Sequence, residues 1–227
     1  MYQLYIANKN YSSWSLRPWV LMRVLGIPFS ESVEPFAPGS NFAAFRRFSP
    51  TGKVPCLVDG SISVWDSLAI TEYLAERHPG VWPVDAIARA WARCAAAEMH
   101  SGFGTVRNLC PMNCGLRIRM HAATPALQSD FDRLSELWSE GLQRFGGPFL
   151  AGEQFTAVDA FFAPVALRVQ TYAIPLAPPA SAYATRLLSL PAMQQWYDAA
   201  LAETWREPEH EKESAAAGVV LSDLRAG

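Results

Sequence analysis

The sequence predicts a two-part molecule: an α/β domain with a four-stranded sheet over residues 1–80, then an all-α domain over residues 86–205. Three observations carry this reading. Short apolar runs and a tight-turn tripeptide are confined to the first part, and long Ala-rich helical patterns fill the second. Between them, Pro79-Gly80 and Val81-Trp82-Pro83 mark a short linker.

Each element follows from its residues. Tyr2–Ala7 is a short apolar run suited to a buried strand. A helix follows, with Leu16, Trp19, Val20, Val24 and Leu25 on its apolar face and Gly26 as a left-handed stop. Proline fits without cost only near a helix start, so Pro18 predicts an N-cap near Ser15. Phe29–Glu34 reads as an edge strand and Asn41–Phe48 as a short helix. Cys56–Val58 and Ile62–Trp65 flank Asp59-Gly60-Ser61, a hairpin signal. Asp66 or Ser67 then caps a helix running to His78. The order β-α-β-(α)-β-β-α is a thioredoxin-like layout.

The second domain is predicted from helical patterns at Ala86–Met99, Gln128–Phe145, Ala157–Tyr172 and Ala192–Thr204. Thr156-Ala157-Val158-Asp159 reads as a capping box, and Pro175–Pro179 as a turn. Residues 206–227, charged and then small, read as a poorly ordered C-terminal tail.

Composition narrows the function. Half of the 227 residues are apolar, and 19 basic residues face 21 acidic ones. That balance argues against a nucleic-acid or anionic-membrane partner and for a small ligand. No apolar run is long enough for a membrane span, since Pro164 and Arg168 interrupt Ala160–Val169. Met1–Ala7 lacks a basic leader and reads as a strand rather than a signal peptide. Four irregularly spaced cysteines point to reduced thiols and the cytoplasm. The Cys110–Cys114 spacing suits no dithiol pair, and with His100 or His121 it gives no zinc pattern, so no metal is expected.

Three segments carry chemistry. Ser12-Ser13 lies in the turn before the first helix, where bare N–H groups and the dipole favour an anion. Val54-Pro55 enters the third strand, where a cis bond turns the Val54 backbone outward to pair with an extended peptide. Asp66-Ser67 opens another helix, offering a hydroxyl and N–H groups to a carboxylate and an acid to an amine. Both serine sites are also ordinary helix caps.

Together these segments resemble the cytosolic glutathione transferases over residues 1–205, most nearly the zeta class, which includes the maleylacetoacetate isomerases. That class carries a double-serine turn like Ser12-Ser13, followed by Cys where Trp14 stands. It carries a Val-Pro with cis proline, matched by Val54-Pro55, and an acidic or amide residue plus serine, matched by Asp66-Ser67. Its Asn-Leu-Ser segment faces the substrate, and Asn108-Leu109-Cys110 stands there.

The resemblance implies glutathione as co-substrate. Val54 is expected to pair with its backbone, Ser67 to hold the γ-glutamyl carboxylate and Asp66 to face the amine. Asn41 matches a glutathione-binding amide, and Lys53 suits the glycyl carboxylate by charge and proximity. Ser12 is expected to donate to the thiol, with Ser13 beside it and Ser15 used as the helix cap. Tyr11 has suitable chemistry but lies one residue early. Trp14, Asn108, Cys110 and Arg168 are expected to face a small, hydrophobic electrophile. Thr171 stands where zeta enzymes carry an arginine, so conjugation and maleylacetoacetate isomerisation both stay open. A non-catalytic scaffold of the same fold is the alternative class, opposed by the retained Ser12, Val54-Pro55 and Ser67. A homodimer is implied, with the third helix and Ala86–Met99 at its twofold interface.

Overall fold

A computed structural model of the chain describes residues 1–226. Its first part is a thioredoxin-like sheet of β1 (Tyr2–Ile6), β2 (Phe29–Val33), β3 (Cys56–Asp59) and β4 (Ile62–Trp65), in the order β2-β1-β3-β4. β1 runs parallel to β2 and antiparallel to β3, which forms the expected hairpin with β4. Gly60 turns that hairpin at φ +59°, a conformation glycine adopts without penalty. Helices α1 (Ser13–Val24), α2 (Phe42–Phe45) and α3 (Ser67–Ala75) complete the unit.

α1 starts three residues before the position predicted from Pro18. Ser12 is its N-cap, and Pro18 is the sixth residue inside the helix. The carbonyl of Ser12 takes the first helical bond, from the Leu16 N–H at 3.2 Å, so the helix closes ahead of the proline. Pro18 forfeits only the bond its missing N–H would have made to the Trp14 carbonyl. Ser15 is therefore not the cap. It is fully buried, and its Oγ accepts from Ser12 Oγ at 2.7 Å and from the Ala7 N–H at 3.4 Å.

The second part contains α4 (Ala86–Ser101), α5 (Gly104–Leu109), α6 (Pro125–Phe145), α7 (Ala157–Tyr172), α8 (Pro178–Ser189) and α9 (Pro191–Ala202). α7 is the central rod, buried along almost its whole length and packed on α1, α4 and α8. Its capping box forms: the Thr156 N–H donates to Asp159 at 2.9 Å. The Asp159 carboxylate also accepts from the Leu150 N–H at 3.0 Å and from the Tyr183 hydroxyl at 2.8 Å. Burial pushes its pKa up to about 6 despite those donors.

Two expectations are corrected. The second domain is not all-α, because β5 (Leu116–Met120) pairs antiparallel with β6 (Gly218–Asp223). Nor is the region after Arg206 without structure, because α10 (Pro208–Ala216) leads directly into β6. β5 follows the alternating pattern of a half-buried strand, with Leu116 and Ile118 inward. The close pairing depends on Gly218, where a Cβ would sit 2.2 Å from the Arg119 carbonyl oxygen.

Polar bonds fasten this tail to the rest. The Tyr11 hydroxyl donates to Glu211 at 2.6 Å, Arg225 Nη2 donates to the same carboxylate at 2.9 Å, and Asn113 adds a third donor at 3.3 Å. Burial alone would raise the Glu211 pKa, but the Arg225 and Tyr11 bonds outweigh it and hold it below its ordinary value.

Asp159→Ala leaves two buried N–H groups and a buried phenol unpaired, so chemical denaturation should report a loss of about 3–5 kcal/mol. Tyr183→Phe removes one bond of that network and should cost about 1 kcal/mol. For the tail, a carboxylate with a depressed pKa stabilises docking above its ordinary titration range. That stabilisation is lost as pH falls through the lowered value. Limited proteolysis of the tail should therefore accelerate on acidification below the ordinary 4.5. Glu211→Gln should accelerate it at neutral pH by about tenfold, since a bond to a charged group contributes roughly 1.5 kcal/mol or more.

Candidate active site

A cavity of about 770 Å³ opens between the two parts. The β1–α1 turn lines it with Tyr11, Ser12, Ser13 and Trp14, and the segment around α2 adds Phe36, Asn41, Phe42 and Phe45. The approach to β3 adds Lys53 and Val54, while Arg107, Asn108, Met112 and Arg168 come from the helical part. A second cavity of about 460 Å³ adjoins it, sharing Trp14, Thr51, Lys53 and Val54 and adding Asp66 and Ser67. The two form one groove from Ser67 to Ser13. The Val54–Pro55 bond is cis, at the bend of that groove.

At one end, Asp66 begins α3 with φ +72°, its carboxylate accepting from the Leu68 N–H at 2.8 Å. Its other oxygen lies 3.5 Å from His100 Nε2. Burial, with Arg17 and Arg107 nearby, lowers the His100 pKa against the pull of Asp66. Ser67 is fully buried, and Arg17 donates to its hydroxyl oxygen at 3.5 Å. The guanidinium of Arg17 lies over Trp14 at 4.1 Å and Phe161 at 4.9 Å, and its Nε has no partner among the described residues. Burial, followed by repulsion from Arg168 and Arg107, brings its pKa down to about 9. It still carries its charge at neutral pH.

At the other end, Arg168 is buried without an acidic partner among the described residues. Its Nε donates to the Cys110 carbonyl at 2.8 Å, its Nη1 to the Pro164 carbonyl at 3.2 Å and its Nη2 to Ser13 Oγ at 3.5 Å. Arg107 donates to the His100 carbonyl at 2.9 Å and lies 5.4 Å from the Trp14 ring. Three guanidinium groups thus surround Trp14 and Ser13, and burial and mutual repulsion lower the Arg17 and Arg168 values. Such a cluster favours a bound anion. The three hydroxyls of the turn differ. Tyr11 spends its proton on the Glu211 carboxylate, and burial lifts its pKa to about 12. Ser12 donates to neutral Ser15, while Ser13 only accepts.

The groove therefore brings together Ser12, Ser13, Trp14, Asn41, Lys53, Val54, Asp66, Ser67, Asn108 and Arg168. Cys110 does not line it. The Cys110 thiol is buried against Met120 Sδ at 3.6 Å, and only its carbonyl serves the site, by holding Arg168. Arg17, Arg107 and His210 had not been singled out from the sequence. Arg17 interrupts the apolar pattern of α1, and Arg107 adjoins Asn108; His210 lies in the region read as a tail.

Family models for the glutathione S-transferase N-terminal and C-terminal domains match residues 11–77 and 119–199. Rat maleylacetoacetate isomerase is 30% identical over 155 residues, 66% of this chain and 70% of that protein. The chain belongs to the glutathione S-transferase family. A zeta-class glutathione S-transferase of Euphorbia esula is 28% identical to this transferase over 157 residues, 67% of this chain and 70% of that protein. The structure of a Burkholderia glutathione transferase homologue with bound glutathione shares the fold, with a TM-score of 0.63 and 23% identity, covering 88% of this chain and 97% of that one. Among the described residues no helix is long and apolar enough to cross a membrane, and no cluster of three metal-binding side chains occurs.

Burial raises the thiol pKa of Cys56 and Cys110 to about 11 and of Cys114 to about 12, while Cys94 is exposed. A thiol reagent at pH 8 should label one of the four cysteines of the folded transferase rapidly, and Cys94→Ser should abolish that phase.

Proposed function

We propose that the enzyme binds glutathione along the Ser67–Val54–Ser13 groove and activates its thiol at the double-serine turn for attack on a small electrophile. The observation that carries this is the convergence of Ser12, Ser13 and Arg168 on one cavity, where Arg168 donates to Ser13 and has no carboxylate partner among the described residues. The γ-glutamyl carboxylate takes the Ser67 hydroxyl, next to the Arg17 charge, and Asp66 faces the amine. The Val54 backbone pairs with the cysteinyl unit, and Asn41 and Lys53 receive the glycyl end. The electrophile lies against Trp14, Asn108, Met112 and Arg168. Conjugation is the reading we favour; the isomerase among the relatives keeps isomerisation as the second.

The energetics are sufficient. Lowering a thiol pKa by about two units from about 8.5 takes roughly 2.7 kcal/mol. A helix N-terminus supplies about 0.3–1 kcal/mol, and a hydrogen bond to a charged group about 1.5–3 kcal/mol. Ser13 has its proton free, and Ser12 exchanges a neutral bond to Ser15 for a charge-assisted one to sulfur. Tyr11 is already committed to a carboxylate and takes no part.

We also propose a cytoplasmic homodimer joined through the β4–α3 face, where Ile62 and Trp65 are partly exposed, and α4. The retained peptide groove speaks against a non-catalytic scaffold.

Ser12→Ala and Ser13→Ala should each raise the pKa of bound glutathione and lower the chloro-dinitrobenzene conjugation rate at pH 7 by about tenfold, at 1.4 kcal/mol per decade. Retention on immobilised glutathione should persist, because Ser67 and Val54 still hold the peptide. A double variant with wild-type thiol pKa and rate refutes the role of the turn.

A further inference from the structure

The tail builds part of the cavity wall, and it presents a histidine. His210 and Glu213 of α10 line the same 770 Å³ space as Ser12, Ser13 and Met112. The His210 imidazole is clamped between two rings, Tyr11 at 5.0 Å and 29° and Phe36 at 4.9 Å and 26°. Its Nδ1 lies 2.7 Å from Oε2 of Glu207, the N-cap of α10, which also accepts the His210 N–H at 2.8 Å. Glu207 is 4% exposed, and although burial works against it, the His210 bonds hold its pKa below the ordinary 4.5. A carboxylate without a proton can only accept, so the hydrogen of this contact is on Nδ1. That fixes the tautomer and leaves Nε2 as the working nitrogen; Nε2 has no partner among the described residues.

We propose that His210, oriented by Glu207, is a catalytic acid of this enzyme when the acceptor is an α,β-unsaturated carbonyl compound. The proposal rests on the glutathione reading above and extends it to the second substrate. The balance is simple. The thiol proton leaves to water as the serine turn holds the thiolate. Sulfur then bonds to the β-carbon, and the C=C pair moves into an enolate. The α-carbon takes the proton from Nε2 of the protonated ring, and water at the partly open edge of the ring returns it. The net change is addition of glutathione across the double bond. With an aryl halide, chloride leaves and no carbon needs a proton, so the acid has no such step to perform.

Other charged groups around the ring are accounted for. On its own helix, Glu211 is paired with Arg225 and Tyr11, and Glu213 lines the cavity. The β1–α1 turn offers the Tyr11 phenol, the segment before α2 offers uncharged Phe36, and Arg107, Arg168 and Lys53 lie on the remaining cavity wall.

The test compares phenylbutenone, an enone, with chloro-dinitrobenzene as acceptors for the full-length enzyme. His210→Phe keeps the ring stack and Glu207→Gln keeps the helix cap, so both retain the wall. In His210→Phe the enone rate should fall at least tenfold relative to the aryl-halide rate. The wild-type enone profile should also decline with rising pH along a limb that the variant lacks. Glu207→Gln should shift that limb and keep part of the rate. Equal losses with both acceptors, or an enone profile that His210→Phe leaves unaltered, overturn the proposal. Wild type that retains glutathione and converts the aryl halide but not the enone overturns it while leaving the glutathione reading intact. Wild type that neither retains glutathione nor converts either acceptor overturns both.

Discussion

A buried cation without a buried acid organises this molecule. Arg168 lies near the C-terminal end of α7, without a carboxylate partner among the described residues, and its bonds go to the carbonyls of Cys110 and Pro164 and the hydroxyl of Ser13. Those three partners belong to the segment after α5, to α7 itself and to the start of α1, so one guanidinium fixes the seam along which the two parts meet. Burying an uncompensated charge is costly, and it persists only where the surrounding structure gains from it. Here the gain is a surface that attracts negative charge at the floor of the groove. Arg17 repeats the arrangement at the other end, with aromatic faces in place of carbonyls. The core around α7 and the Asp159 network is what holds both cations in position.

Much of this was legible in the chain, and what was missed has a common physical cause. The strands of the first sheet, the hairpin at Gly60 and the capping box at Thr156 are specified by neighbouring residues, and local patterns reveal them; the cis Val54–Pro55 bond was implied by the family resemblance instead. β5 showed the period of a strand, but its partner β6 lies at the far end of the chain, and a lone five-residue strand carries no signal of its mate. The tail was misread because α10, although rich in helix-forming Glu, Lys and Ala, has no apolar face to signal that it packs; Tyr11, Asn113 and Arg225 order it through contacts distant in sequence. The start of α1 was misplaced because the cost of a proline inside a helix was weighed alone, without the gain of closing the turn on Ser12.

The site divides the same way. Residues that present backbone or a hydroxyl at a helix start follow from turn chemistry, and those assignments fell on the groove. Cys110 failed as a substrate contact because position in a segment does not say which way a side chain turns, and its sulfur turned to Met120. Arg17 went unread because an arginine within an apolar helix looks like a surface residue. Its burial is visible only once Trp14, Phe161 and Ser67 from three elements close around it.

The tail also sets a hierarchy of local stability. It is fastened by a few charged hydrogen bonds and by a strand whose Val219, Val220 and Leu221 remain largely exposed, whereas α7 is sealed by apolar contacts on all sides. Segments of the first kind open at a fraction of the free energy needed to unfold the core. The part of the groove built by α10 is therefore held less firmly than the parts built on α1 and α7. Exchange of reactants with solvent then needs no separation of the two domains, and the slowest step of a turnover is free to be the undocking of twenty residues rather than the chemistry they enclose.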